Sequence, residues 1–185
     1  MKRVFLAVSF HNNSFLEHYV SSVQSKLQNE KISWIDSKKL HLTFKFFGPT
    51  DDSTLENIKN TLDELLKKQF KLQVSFEQLR IFGSKYQPRV LWMAMKNPEP
   101  ITKLEIVVRN SMEEIGIQYD RQNFVPHLTI GRIKQLSSKK YFQSVVDKYK
   151  DFDSGVIQVD SIYLYQSIIR ADGPIYKVIK EFKLK

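Results

Sequence analysis

The sequence predicts an α+β fold of two pseudo-symmetric lobes, each a mostly antiparallel sheet with helices on its outer face, enclosing a central cleft. Three observations predict it. Strand-like and helix-like segments alternate along all 185 residues with no linker or low-complexity stretch between them. The segment HLTFKFFG at 41–48 has a counterpart, HLTIGR at 127–132. Each is followed by a helical pattern and then by two strands, which is a weak internal duplication.

The elements follow in order. Residues 3–10 (RVFLAVSF) read as a buried strand. Ser14 and Glu17 have capping-box spacing, and Leu16, Val20, Val23 and Leu27 continue at helical intervals. Residues 41–47 read as a strand ending at Gly48-Pro49. Ser53 and Glu56 repeat the capping signature ahead of Leu55, Ile58, Leu62 and Leu65. Two strands are predicted at about 70–82 and 89–95, joined by the loop GSKYQP. Pro98 and Pro100 open a helix carrying Ile101, Leu104, Val108, Met112 and Ile115. A strand at 124–132 precedes a shorter helix with Phe142, Val145 and Tyr149. The stretches VIQVDSIYLYQSII and PIYKVIKEFKL then form two strands around the turn ADGP. Length and continuity together make residues 1–185 a single two-lobed domain.

Composition narrows the chemistry. The chain has no cysteine, which excludes disulfides, a thiolate nucleophile and Cys-ligated metal. The opening MKRVFLAVSFHNN has a basic tip and an apolar run, but it lacks a small-residue cleavage site and reads as the first strand. No apolar stretch reaches the roughly 18–20 residues that span a bilayer, so a cytoplasmic protein without a membrane partner is expected; a monomer is expected as well. Lys and Arg exceed Asp and Glu by 29 to 20, a net charge of +9 that favours phosphate-bearing partners.

The doubled motif gives that charge a purpose. Side chains at i and i+2 of a strand share a face. His41 and Thr43 therefore point together, with Lys45 and Phe47 expected beyond them, while Leu42, Phe44 and Phe46 face the core. His127 and Thr129 likewise share a face opposite Leu128 and Ile130. Two such strands across a cleft would set two imidazoles and two hydroxyls around one phosphorus. Displacement there needs one proton removed and another delivered, and histidine serves both tasks near neutrality. One His-Leu-Thr on a strand is ordinary; two on duplicated strands argue for a site. No HExxH and no His-and-carboxylate cluster offers a metal site, and no cofactor motif is present.

With these residues in hand, the chain resembles the two-histidine phosphoesterases, and most closely their bacterial and archaeal RNA 2′,3′-cyclic phosphodiesterases, historically called 2′-5′ RNA ligases. HLTF at 41–44 and HLTI at 127–130 fit the family's paired His-x-Thr/Ser-x motifs. KFFG after the first motif, PRVLWMAM at 88–95 and the final hairpin at 162–184 extend the likeness over nearly the whole chain. The resemblance implies metal-independent hydrolysis of a 2′,3′-cyclic phosphate at an RNA end to a 2′-phosphate, with no cofactor. On this resemblance His127 would activate water and His41 would protonate the departing 3′ oxygen. Thr43 and Thr129 would hold the non-bridging oxygens, and Arg132 would contact the phosphate. Strict alternation puts Arg132 on the wrong face, so a bulge at Gly131 is required. Some members also join or cleave 2′-5′ linkages, and others take small cyclic phosphates.

Outside the motifs, Phe47 is a candidate for stacking on a base, Lys45 for steering phosphate, and Tyr86 in the GSKYQP loop for touching RNA. Ser167 matches a family position near the cleft. His11 and His18 fall outside any pair, and Trp34 and Trp92 read as core. Two other readings stay open: a non-catalytic RNA- or nucleotide-binding module, and the same chemistry on a small cyclic nucleotide.

Overall fold

The computed structural model describes residues 1–11, 13–118, 124–171 and 173–185. Among these, the chain runs β1 (Lys2–Ser9), α1 (Ser14–Lys26), β2 (Lys31–Trp34), β3 (His41–Thr50), α2 (Asp52–Leu66), β4 (Leu72–Val74), β5 (Phe76–Gly83) and β6 (Pro88–Met95). It continues through α3 (Glu99–Glu114), β7 (His127–Gln135), α4 (Lys139–Lys148), β8 (Ile157–Val159), β9 (Ser161–Arg170) and β10 (Gly173–Lys183). A short 3₁₀ turn at Ser37–Lys39 leads into β3. Asp172, in the expected ADGP turn, lies outside the described residues.

Two expected caps move by one or two residues. Asn13, not Ser14, caps α1 by accepting the Leu16 amide at 2.9 Å. Asp51, not Ser53, caps α2, accepting the Thr54 amide at 2.8 Å and the Ser53 and Thr54 hydroxyls. A carboxylate or amide oxygen one or two positions upstream competes for the same amide donors and holds the helix start instead.

Two four-stranded antiparallel sheets form, in the orders β10-β9-β1-β3 and β2-β7-β6-β5. The helix α2 lies against β10 and α3, and α4 against β5. One continuous apolar core joins Leu6, Leu42 and Leu164 of the first sheet to Leu91, Leu128 and Ile130 of the second. This is the predicted two-lobed α+β architecture, with one correction. The lobes are not the two halves of the chain. The hairpin β5–β6, which follows β3 in sequence, pairs with β7, while β9–β10, which follows β7, pairs through β1 with β3. Each duplicated unit therefore sends its hairpin to the other lobe. The short strands β4 (LQV) and β8 (IQV) occupy matching places in the two units and pair antiparallel with each other, Gln73 opposite Gln158. Both were expected only as the beginnings of the strands that follow them, and β2, a four-residue strand beside β7, was not expected at all.

Candidate active site

His41 opens β3, and His127 opens β7. The first strand ends one sheet and the second lies inside the other, and the two approach each other where the lobes meet. His41, Thr43, His127, Thr129 and Arg132 all line one cleft of about 940 Å³ there, at the upper end of the usual size for a ligand site. The polar face of each motif strand thus meets the other, as the i, i+2 alternation predicts.

Each strand then breaks that alternation at the same place. Opposite β1, the pairing jumps from Ala7–Thr43 to Leu6–Lys45, leaving Phe44 as an extra residue. Opposite β6, it jumps from Trp92–Thr129 to Leu91–Gly131, leaving Ile130 as the extra one. These bulges fall at the fourth residue of the two motifs, HLTF and HLTI, and reverse the faces downstream. On β7 the bulge brings Arg132 into the cleft with His127, as the resemblance requires. On β3 it brings round Phe46, the residue matching Arg132.

That reversal corrects two expectations. Phe46, not Phe47, shares the His41 side; it is 62% exposed in the cleft wall, its ring 5.7 Å from that of Phe5, while Phe47 packs against the core. Lys45 pairs with Leu6 and is only 6% exposed, in the inner wall of the cleft rather than on the phosphate face. A second jump in pairing leaves Phe47 extra, and Gly48 beside it takes φ +73°, which favours glycine. Tyr86 sits on the β5–β6 loop, 71% exposed with Lys85 over its ring, and is not part of the cleft wall. Ser167 pairs with Tyr176 but does not line the cleft itself. His11 and His18 are exposed outside it, and Trp92 is core, as expected.

The two imidazoles have matching settings. His41 Nδ1 lies 2.7 Å from the Lys39 carbonyl, and His127 Nδ1 lies 2.7 Å from the Val125 carbonyl. A carbonyl only accepts, so Nδ1 carries the hydrogen on both rings and Nε2 is the atom left to exchange protons. Aromatic rings wall each one in. Phe5 and Tyr176 lie 5.3 and 5.2 Å from His41; Phe82 and Trp92 lie 4.9 and 5.7 Å from His127. Burial in these notches pushes both histidines below the ordinary value, against the pull of the backbone carbonyls. The Arg132 charge lowers both further, and the His127 charge also acts on His41. The two rings and the guanidinium therefore lie within electrostatic reach of one another.

Trp34 and Tyr176 are among the cleft residues that the sequence left unmarked. Trp34, expected in the core, is half-buried and lines the cleft from β2. Tyr176 lines the opposite side, edge-on to His41, with Arg132 acting on its phenol. The β2 strand is held close by Gly131, opposite Trp34. A Cβ there would stand 2.7 Å from Ile32 Cγ2 and 3.2 Å from the Trp34 ring. Gly131→Ala is expected to destabilise the protein by about 1–3 kcal/mol, because the stiff β-branched Ile32 cannot yield without moving its strand. Urea unfolding measures this, and an unchanged midpoint would show that β2 gives way freely.

A two-lobed α+β fold whose paired His-Leu-Thr strands face across one cleft defines a two-histidine phosphoesterase. The chain belongs to the 2′-5′ RNA ligase superfamily, whose model matches residues 18–168. It is 31% identical over 180 residues to a Methanocaldococcus jannaschii protein named RNA 2′,3′-cyclic phosphodiesterase, covering 97% of this chain and 99% of that one. An Aquifex aeolicus protein of the same name is 32% identical over 176 residues, covering 93% and 90%. Among solved structures, a Thermus thermophilus protein superposes with TM-score 0.80 at 20% identity, covering 98% of this chain and 97% of its own. Escherichia coli LigT, solved in complex with 3′-AMP, gives TM-score 0.80 at 18% identity, covering 100% and 98%. Among the described residues, no helix is long and apolar enough to cross a membrane, and no three His, Cys, Asp or Glu side chains gather as metal ligands would.

Proposed function

We propose that this protein is a metal-independent RNA 2′,3′-cyclic phosphodiesterase that opens the cyclic phosphate at an RNA 3′ end to a 2′-phosphate. The observation that carries this reading is the matched pair of imidazoles on one cleft, each with Nδ1 tied to a backbone carbonyl and Nε2 left to exchange protons. Support also comes from the name shared by the M. jannaschii and A. aeolicus relatives.

In the proposed reaction His127 Nε2 takes a proton from water as its oxygen bonds to phosphorus. The bond from phosphorus to the 3′ oxygen breaks, and His41 Nε2 gives that oxygen its proton. The products are a 2′-phosphate and a 3′ hydroxyl. Thr43 and Thr129 donate to the non-bridging oxygens, and Arg132 offsets the charge that builds on them. The whole of 1–185 acts as one domain, since the residues of the site come from both sheets.

The test is product analysis in EDTA on a short RNA ending in a 2′,3′-cyclic phosphate. A 2′-phosphate product is expected; RNA binding without any product would leave a binding module instead. The same assay against pH gives a second expectation. Above the higher pKa of the pair both rings are neutral and no acid remains; below the lower one both are charged and no base remains. Burial and Arg132 lower both rings, so kcat/KM is expected to peak on the acidic side of about pH 6.5, the ordinary histidine value. An alkaline optimum would contradict it.

A further inference from the structure

The inner arm of the cleft contains a buried charge that the two-histidine chemistry does not use. Beside Lys45 its wall holds Glu105, which extends from α3 and is 2% exposed. The other buried positions of that helix, Ile101, Leu104, Val108 and Met112, are apolar. A carboxylate in such a stripe costs free energy unless something satisfies it, and Glu105 contributes to the cleft wall. Burial pushes its pKa up, with the Glu113 charge adding to the rise, while the Arg109 and Lys45 charges pull it down. Phe124, stacked on Phe44, and Trp34 of β2 line the same cleft, so apolar ring surface is present in it with the charge.

We propose that Glu105 makes this arm a guanine-reading pocket, so that the preferred substrate is an RNA end whose terminal nucleoside is guanosine. The proposal rests on the cyclic phosphodiesterase reading. A carboxylate only accepts hydrogen bonds. Guanine alone among the four bases offers two adjacent donors, N1–H and the N2 amino group, on its Watson–Crick edge. Adenine and cytosine set an acceptor beside their amino group, and uracil flanks its one N–H with two carbonyls. On guanine the next atom along that edge is O6, an acceptor suited to the Lys45 ammonium. The aromatic rings cover the purine faces, as they do for unpaired bases. Any other base leaves the buried carboxylate facing a lone pair or an empty space, which is how a hydrogen-bonding site rejects the wrong partner.

The experiment compares kcat/KM for the four nucleoside 2′,3′-cyclic monophosphates, with wild type and Glu105→Gln. Wild type is expected to favour the guanosine substrate by about 10-fold or more, and the variant to lose most of that preference while the other three change little. Equal turnover of all four by wild type overturns the proposal, and so does a uniform loss in a folded variant. Calorimetric binding of the four nucleoside 2′-monophosphates to wild type separates this from the reaction itself. With no turnover of any substrate the phosphodiesterase reading fails, yet tighter binding of the guanosine nucleotide still supports the pocket and equal affinities refute it.

Discussion

His41→Ala and His127→Ala are each expected to lower kcat/KM for a 2′,3′-cyclic phosphate by about 10²–10⁴-fold, the usual contribution of one positioned acid or base. The two losses should not multiply. In the proposed step one ring takes a proton as the other gives one, and groups that act as a unit are strongly non-additive. The double variant is therefore expected to fall little below the worse single one. Folding should survive, because each ring is half-buried at a strand start and neither belongs to the apolar core. Near-wild-type turnover by either variant, in a folded protein, would end the two-histidine scheme. So would a double variant whose loss equals the product of the two singles, since that is the behaviour of independent sites.

What the sequence could reveal about this site depended on where the strands are regular. His41 with Thr43, and His127 with Thr129, precede the bulges, so simple alternation puts them on the correct face. Phe47 and Lys45 follow a bulge, and the same rule then assigns them wrongly. A bulge depends on pairing with a distant strand, here β1 against β3, and a local pattern does not report it. Arg132 was recoverable because Gly131 stood beside it, and the resemblance required it in the cleft. The signal for Phe46 was present too, in the alignment of HLTFKF with HLTIGR, which puts Phe46 where Arg132 stands. Trp34 was missed for another reason. Its strand is four residues long and has no turn chemistry of its own, and its place is fixed by contact with Gly131. The exchange of hairpins between lobes was equally invisible, because motif, helix and hairpin recur in the same order whichever lobe receives the hairpin.

Arg132 has the second-largest expected effect and two separate readouts. Among the described residues it makes no ion pair, and it is exposed in the cleft wall that also holds the two imidazoles and the Tyr176 phenol, all three of which feel its charge. Removing a donor aimed at developing charge typically costs about 10²–10³-fold in rate, and Arg132→Ala is expected to fall in that range. The same substitution should move the pH profile upward. The guanidinium disfavours a second positive charge on either ring, so without it both histidines hold their protons to higher pH and the optimum follows. Arg132→Lys divides the two effects. It keeps a positive charge, so the optimum should stay near that of wild type. It lacks the planar fork that grips two phosphate oxygens, so the rate should recover only in part. A profile unmoved in Arg132→Ala, alongside a large loss of rate, would mean that the guanidinium meets the substrate but is too far from the rings to set their protonation.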